Sequence, residues 1–297
     1  MNTATLLLLT RPATTSAPTG DAGFVEAEAD APHVNVMDLG VTRGDGFFET
    51  ISVVDGHPQA LEPHLKRLGH SAELMDMPAP DTDVWRRAVL AGIDAHQREH
   101  GVQREIFAKL IMTRGVEGTG IATGWVYLDT GEDFTASRLG IRVVSLDRGY
   151  RHDVAETSPW LLQGAKTLSY AANRAALREA ARRGADDVIF VSSDGYALEG
   201  PTSNVIIRNG DRVRTPQTDQ GILAGTTQAA VFEFFEARGI ETSYEHIPAR
   251  ELAEADALWL VSSVRQASPI TNLDGKDFHV DAALAAELNT YLLSRTH

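Results

Sequence analysis

The sequence predicts a mixed α/β fold, an α+β or α/β arrangement in two parts, and three observations carry that prediction. Short runs rich in β-branched and aromatic residues recur from residue 47 onward, each bounded by glycine, proline or aspartate. Between them lie stretches whose apolar residues return every three or four positions, the spacing of an amphipathic helix. Near residue 150 both patterns lapse into LDRGYRHDVAETSPW, rich in charge, glycine and proline, where a domain boundary is expected.

Residues 1–33 are expected to form a mobile lead-in, 34–150 a smaller domain and 151–297 a larger one. The leucine run at 6–9 lacks a basic flank and is too short for a secretion signal, so a short strand or a loose terminus is expected there. Residues 47–54 read as a strand that ends at the Asp55-Gly56 turn, and 62–75 and 81–96 as amphipathic helices. Paired strands are predicted at 107–113 and 124–128 around RGVEGTG, with another strand at 139–146. The second half alternates helix 170–183 (closed by Gly184), strands 187–192 and 203–208, helix 226–238 (closed by Gly239), strand 257–261 and helix 280–295.

Composition narrows the function. With 297 residues, 43% hydrophobic and 23% charged, the chain can bury a proper core. A formal charge of -14 argues against a nucleic-acid partner, because phosphates need cations to neutralise them. No apolar stretch is long enough to span a membrane, which makes the cytoplasm the default location. The absence of cysteine removes disulfides and thiolate chemistry, and the ten histidines show no ligand spacing, so no metal is assigned.

Lysine is scarce, with Lys66, Lys109, Lys166 and Lys276 the complete set. Lys166 lies among Leu161, Leu162, Gly164, Ala165 and Leu168. It reads either as a solvated residue before a helix or as a buried amine whose charged form is disfavoured, which makes it a nucleophile toward aldehydes. Glu199, in LEGPTSN, is a turn carboxylate or the partner of a ring nitrogen. Thr226 and Thr227, in GILAGTT, cap a helix or open an anion site, and Ser262-Ser263 after ALWLV shares the ambiguity. Arg67 on its helix and Arg114 in MTRG are surface arginines or anion ligands. A lysine, a later acid and a hydroxyl-rich helix start are the parts that a pyridoxal phosphate site requires.

Seven segments then stand in one order: RGDGFFET (43–50), HLKRLGHSA (64–72), MTRG (112–115), KTLSY (166–170), LEGPTSN (198–204), GILAGTT (221–227) and VSSVRQASPI (261–270). From residue 34 to 275 the chain resembles the fold-type IV pyridoxal phosphate enzymes, the class IV aminotransferase family. That family holds branched-chain and D-amino acid aminotransferases and 4-amino-4-deoxychorismate lyases. The resemblance implies two α/β domains with pyridoxal 5'-phosphate in the interdomain cleft, the lysine carried by the larger C-terminal domain, and a homodimer. It implies that Lys166 carries the cofactor and shuttles a proton, and that Glu199 pairs with the pyridine nitrogen. It places Arg67, Thr226, Thr227 and Ser263 on the phosphate, and Leu223 against the ring. Tyr170 lies near the ring oxygen or the lysine, and Asn204 completes the cofactor set.

RGDGFFET, KTLSY and TPQTDQGILAG are most similar to the aminodeoxychorismate lyase-like branch, which implies release of pyruvate and formation of 4-aminobenzoate, a folate precursor. The alternative is an aminotransferase acting on D- or branched-chain amino acids; either way the partner is a small amino substrate. A catalytically silent relative would not need the amine of Lys166. Arg43, Phe48, Lys109 and Arg114 are the expected substrate contacts. Arg43 stands where branched-chain enzymes place tyrosine, a charge that suits a dicarboxylate, or else it is a turn residue paired with Asp45.

Overall fold

The structure is a computed structural model and describes residues 4–14 and 21–296. Residues 1–3 and 15–20 of the expected lead-in, and residue 297, lie outside the described residues. By their contacts the described residues form two compact units. The first runs to Glu132 and takes in Ala165–Tyr170; the second comprises Asp133–Gly164 and Ala171–Arg295.

The first unit contains β1 (Thr5–Leu9), β2 (Phe24–Ala27), α1 (Leu39–Arg43), β3 (Gly46–Val54), β4 (His57–Pro58), α2 (Leu61–Leu74), α3 (Thr82–His100), β5 (Glu105–Thr113) and β6 (Thr123–Asp129). Its six strands form one sheet in the order β2-β1-β6-β5-β3-β4, and every neighbouring pair is antiparallel. GFFETISVV makes β3 because aromatic and β-branched side chains fit a pleated surface, and eight of its nine residues are buried. The helix α2 lies against β3 through Leu65, Leu68 and Ala72, and α3 lies against β1 and β6. The Asp81 carboxylate caps α3 by accepting from the Val84 N–H, and Gly101 (φ 75°) ends it.

The segment around Lys166 joins this sheet through its backbone. The Phe48 N–H donates to the Lys166 carbonyl at 3.0 Å, and the Leu168 N–H donates to the Gly46 carbonyl at 2.8 Å. The Lys166 segment thus pairs by its backbone with β3 and groups with the first unit.

The second unit contains β7 (Ile141–Asp147), α4 (Val154–Thr157), α5 (Ala171–Arg182), β8 (Asp187–Val191), β9 (Asn204–Asn209), β10 (Arg212–Pro216), α6 (Thr226–Glu236), β11 (Glu241–Glu245), β12 (Ala257–Ser262), β13 (Gln266–Leu273), β14 (Lys276–Asp277) and α7 (Ala282–Ser294). Its eight-stranded sheet runs β11-β10-β9-β12-β13-β7-β8, with β14 paired to β13. The β10/β11, β13/β7 and β7/β8 pairs are parallel and the rest antiparallel. Alternation along β9 and β12 feeds two cores. Val205, Ile207, Leu258 and Leu260 pack with Ile141 and Ile270, while Ile206, Trp259 and Val261 pack with Phe232 and Phe235 of α6 and Leu288 of α7.

The predicted elements agree with the observed ends to within two residues, except that α3 continues to His100. Sequence reasoning missed α1, α4, β2, β10, β11, β13 and β14. In β13 the cause is Pro269, which argues against a strand when read locally; here it is the register partner of Trp259 in β12. Among the described residues no helix is long and apolar enough to cross a membrane, and no cluster of His, Cys, Asp or Glu is arranged to hold a metal.

Candidate active site

Candidate residues are gathered separately in each unit. In the first, alternation along β3 sends Phe48 and Glu49 to opposite faces of the strand. Phe48 is the centre of one group. The Lys166 ammonium lies 4.7 Å from its ring centroid and that of Lys109 4.8 Å, close enough for cation–π attraction. The Tyr170 ring meets Phe48 edge-on, with centroids 5.5 Å apart. Burial pushes the Lys109 amine below the usual lysine value, because a charged amine loses hydration there. The Lys166 backbone N–H donates to Ser71 Oγ at 3.2 Å, which ties the lysine segment to α2.

Glu49 is the centre of the second group and is fully buried. Its carboxylate accepts from Arg67 Nε at 2.7 Å and from Arg67 Nη2 at 2.6 Å, a bidentate pair, and from His64 Nδ1 at 2.7 Å. Burial by itself would raise the Glu49 carboxyl; the Arg67 charge and hydrogen bonds, aided by His64, outweigh it and hold the group well below the carboxylate range. His64 is also shifted downward, but by burial itself. Desolvation lowers it more than Glu49 raises it, so the ring is the neutral Nδ1–H tautomer. Arg67 was expected from the sequence; Glu49, His64 and Ser71 were missed. The available signal was spacing: His64, Arg67 and Ser71 fall at steps of three and four on the buried face of α2, and Glu49 sits between the core residues Phe47 and Ile51.

The remaining candidates of this unit are placed differently. Arg43, at the exposed C-terminus of α1, donates to the Thr42 carbonyl at 3.0 Å. Arg114 binds Asp45 through Nε at 2.7 Å and also donates to the carbonyls of Met75 (2.7 Å) and Asp76 (3.1 Å). Asp45 is thus gripped by Arg114, and the Arg114 guanidinium clamps β5 to the end of α2.

In the second unit, three cofactor candidates form one knot. Glu199 Oε2 accepts from the Leu223 N–H at 3.2 Å and from Asn204 Nδ2 at 3.4 Å, and Asn204 Nδ2 also donates to the Leu223 carbonyl at 2.8 Å. Close beside it, α6 begins at Gly225 with no side-chain cap, which leaves its first amides without that partner. Thr226 Oγ1 and Ser263 Oγ stand 3.4 Å apart. The buried Thr227 hydroxyl has no hydrogen-bond partner among the described residues. Uncapped amides, a hydroxyl pair and an orphaned hydroxyl at a helix N-terminus fit a phosphate-sized anion.

Glycine at 225 is required by this packing. A Cβ there would stand 1.9 Å from Asn204 Oδ1. Gly225→Ala is expected to displace Asn204 from Glu199 and Leu223, at a cost of about 1–3 kcal/mol, and to lower the thermal midpoint by several degrees. An unchanged midpoint in a scanning melt would show that the Asn204 amide has room to move.

Residues 46–273 match the class IV amino-transferase family. The chain is 43% identical over 257 residues to a protein of Mycobacterium tuberculosis named bifunctional aminodeoxychorismate lyase / D-amino acid transaminase, covering 82% of this chain and 87% of that one. Among solved structures it is similar to a fold IV transaminase from Curtobacterium pusillum, with 69% identity, a TM-score of 0.96, and coverage of 99% of this chain and 100% of the other. It is also similar to the PLP-bound form of a hypothetical aminotransferase from Mycobacterium tuberculosis, with 38% identity, a TM-score of 0.88, and coverage of 98% and 99%. With the two mixed units and the ordered motifs described above, the chain belongs to the class IV aminotransferases, enzymes of fold type IV.

Proposed function

We propose that this enzyme is a pyridoxal 5'-phosphate-dependent aminotransferase that also carries 4-amino-4-deoxychorismate lyase activity. The observation that carries the cofactor reading is the uncapped start of α6, with the Thr226 and Ser263 hydroxyls and the orphaned Thr227 hydroxyl gathered there. A doubly charged phosphate would suit the positive helix start and supply a partner for the Thr227 hydroxyl. The transaminase is placed ahead of the lyase because the relative at 69% identity is named a transaminase. The lyase is kept because the relative at 43% identity is named for both activities.

Bound, pyridoxal 5'-phosphate supplies an aldehyde that condenses with amines and a ring that accepts an electron pair. Lys166 provides the amine that carries it and afterwards moves the proton at the substrate carbon. Glu199 would hold positive charge on the ring nitrogen, and Asn204, anchored on the Leu223 carbonyl, fixes the Glu199 carboxylate. Leu223 would lie against the ring, Tyr170 would orient it with Lys166, and Arg67 with the hydroxyls of Thr226, Thr227 and Ser263 would hold the phosphate. Phe48, Lys109 and Arg43 are the substrate contacts. Lys109 suits a carboxylate, because an arriving anion relieves the desolvation that burial imposes on its amine. Arg114 has its guanidinium committed to Asp45 and two carbonyls, and it shapes the loop rather than reaching for substrate. The enzyme is further proposed to act as a cytoplasmic homodimer.

The test uses purified, cofactor-loaded protein in two assays. One offers 2-oxoglutarate or pyruvate with a panel of D- and L-amino acids, and the other offers 4-amino-4-deoxychorismate generated from chorismate. Keto-acid-dependent turnover in the first supports the transaminase, and 4-aminobenzoate with pyruvate in the second supports the lyase. Silence in both overturns the proposal.

A further inference from the structure

The hairpin between β12 and β13 contains a backbone conformation that its residue does not favour. Ser262 and Gln266 are register partners, so residues 263–265 form a three-residue loop that closes on Gln266. Gln266 has φ 65°, in the left-handed region where glycine is the default residue of such loops. It is also fully buried. A glutamine kept in a strained, buried position calls for a task that its side chain performs.

The task is visible in its hydrogen bond. Gln266 Nε2 donates to the Ser263 carbonyl at 2.7 Å. The next two carbonyls of the loop are held as well, since Arg138 donates to Val264 O at 3.1 Å and to Arg265 O at 3.0 Å. Arg265 itself is pinned by Asp187 at 2.6 Å and Ser203 at 3.1 Å, and the Asn289 side chain holds both backbone groups of Ala267. Three successive carbonyls, each held by a side-chain donor, restrain the peptide planes of the loop. Because a trans peptide is planar, fixing the Ser263 carbonyl also fixes the Val264 N–H on the opposite side. Ser263 Oγ is then held 3.4 Å from Thr226 Oγ1 at the start of α6.

We infer that Gln266 is a positioning residue for anion recognition: its side-chain amide, acting through the Ser263 carbonyl, sets the hydroxyl of Ser263 against Thr226 for a phosphate monoester. The inference rests on the reading of the α6 start as the phosphate site of pyridoxal 5'-phosphate. Gln266 touches neither cofactor nor substrate in this account. Its effect is confined to the phosphate, which separates it from a residue that merely fills the core.

The experiment compares the full-length apoprotein with Gln266→Met, which keeps the length but lacks the donor, and Gln266→Asn, which accepts the left-handed backbone but is too short to reach Ser263. Each protein is titrated with pyridoxal 5'-phosphate and with pyridoxal, and the phosphorus resonance of the bound phosphate is recorded. Both variants are expected to bind pyridoxal 5'-phosphate about tenfold more weakly, the loss of one positioned hydrogen bond. Pyridoxal binding is expected to be unchanged and the phosphorus resonance to move. Equal weakening toward both ligands, or no weakening toward either, overturns the assignment of Gln266 while leaving the phosphate site standing. Wild-type protein that binds pyridoxal as tightly as its phosphate overturns the phosphate reading and the inference with it.

Discussion

Lys166→Ala is expected to abolish turnover, with a loss of at least about 10³-fold, within the range measured when a catalytic base or nucleophile is removed. It is also expected to erase the long-wavelength absorbance of lysine-bound cofactor. Two lysines flank the Phe48 ring at nearly equal distances, so the spectrum is the decisive readout. Lys166 is the first choice because the resemblance of KTLSY (166–170) assigns it the cofactor; the backbones of both lysines are held, that of Lys166 by Ser71 of α2 and Phe48 of β3 and that of Lys109 between β3 and β6. Retained absorbance in Lys166→Ala, lost in Lys109→Ala, would transfer the carrier role to Lys109. Thermal melting of the apoprotein is expected to change little, because Lys166 is only partly buried.

Glu49→Gln is expected to have the largest effect on stability. It leaves the Arg67 guanidinium, itself only 9% exposed, without its carboxylate. Breaking a buried pair in this way costs about 3–5 kcal/mol, and the thermal midpoint should fall by on the order of 10 °C. The pH dependence has a definite sign. Glu49 in the folded state binds its proton less readily than in the unfolded chain, and so does His64, so acidification loads the unfolded state first. The contribution is complete above the unfolded histidine value of about 6.5. It declines below that value through His64, and below the ordinary carboxylate range through Glu49. The gap in thermal midpoint between wild type and Glu49→Gln should therefore narrow once the pH falls below that range. A gap constant down to strongly acidic pH would show that the Glu49 charge is not what the fold relies on.

The candidate chemistry was legible in the sequence wherever it lay in local residue type. Thr226 and Thr227 sit at a helix start that periodicity places correctly, Glu199 and Leu223 lie in glycine-rich loops whose composition marks them, and Asn204 opens β9 at the end of one of them. Their convergence is local to one unit. Glu49 was passed over because a glutamate in a strand reads as a solvent-facing residue until the neighbouring helix is known. Gln266 carried no local signal, since nothing in QASPI indicates a left-handed backbone, and Pro269 argues against the strand that follows it.

The sequence by itself determined the kinds of groups available: one lysine in an apolar segment, an acid in a turn, hydroxyls before a helix, and the order in which they occur. It also determined most element boundaries, because periodicity and turn chemistry act over a few residues. The tertiary structure decided which of those groups meet. Ser71 receives the Lys166 amide across 95 residues, Arg114 closes on Asp45 across 69, and Arg67 reaches Glu49 across 18. Each of these is a hydrogen bond or an ion pair whose strength depends on distance and burial. Neither quantity exists until the strands are in register and the helix is packed on them.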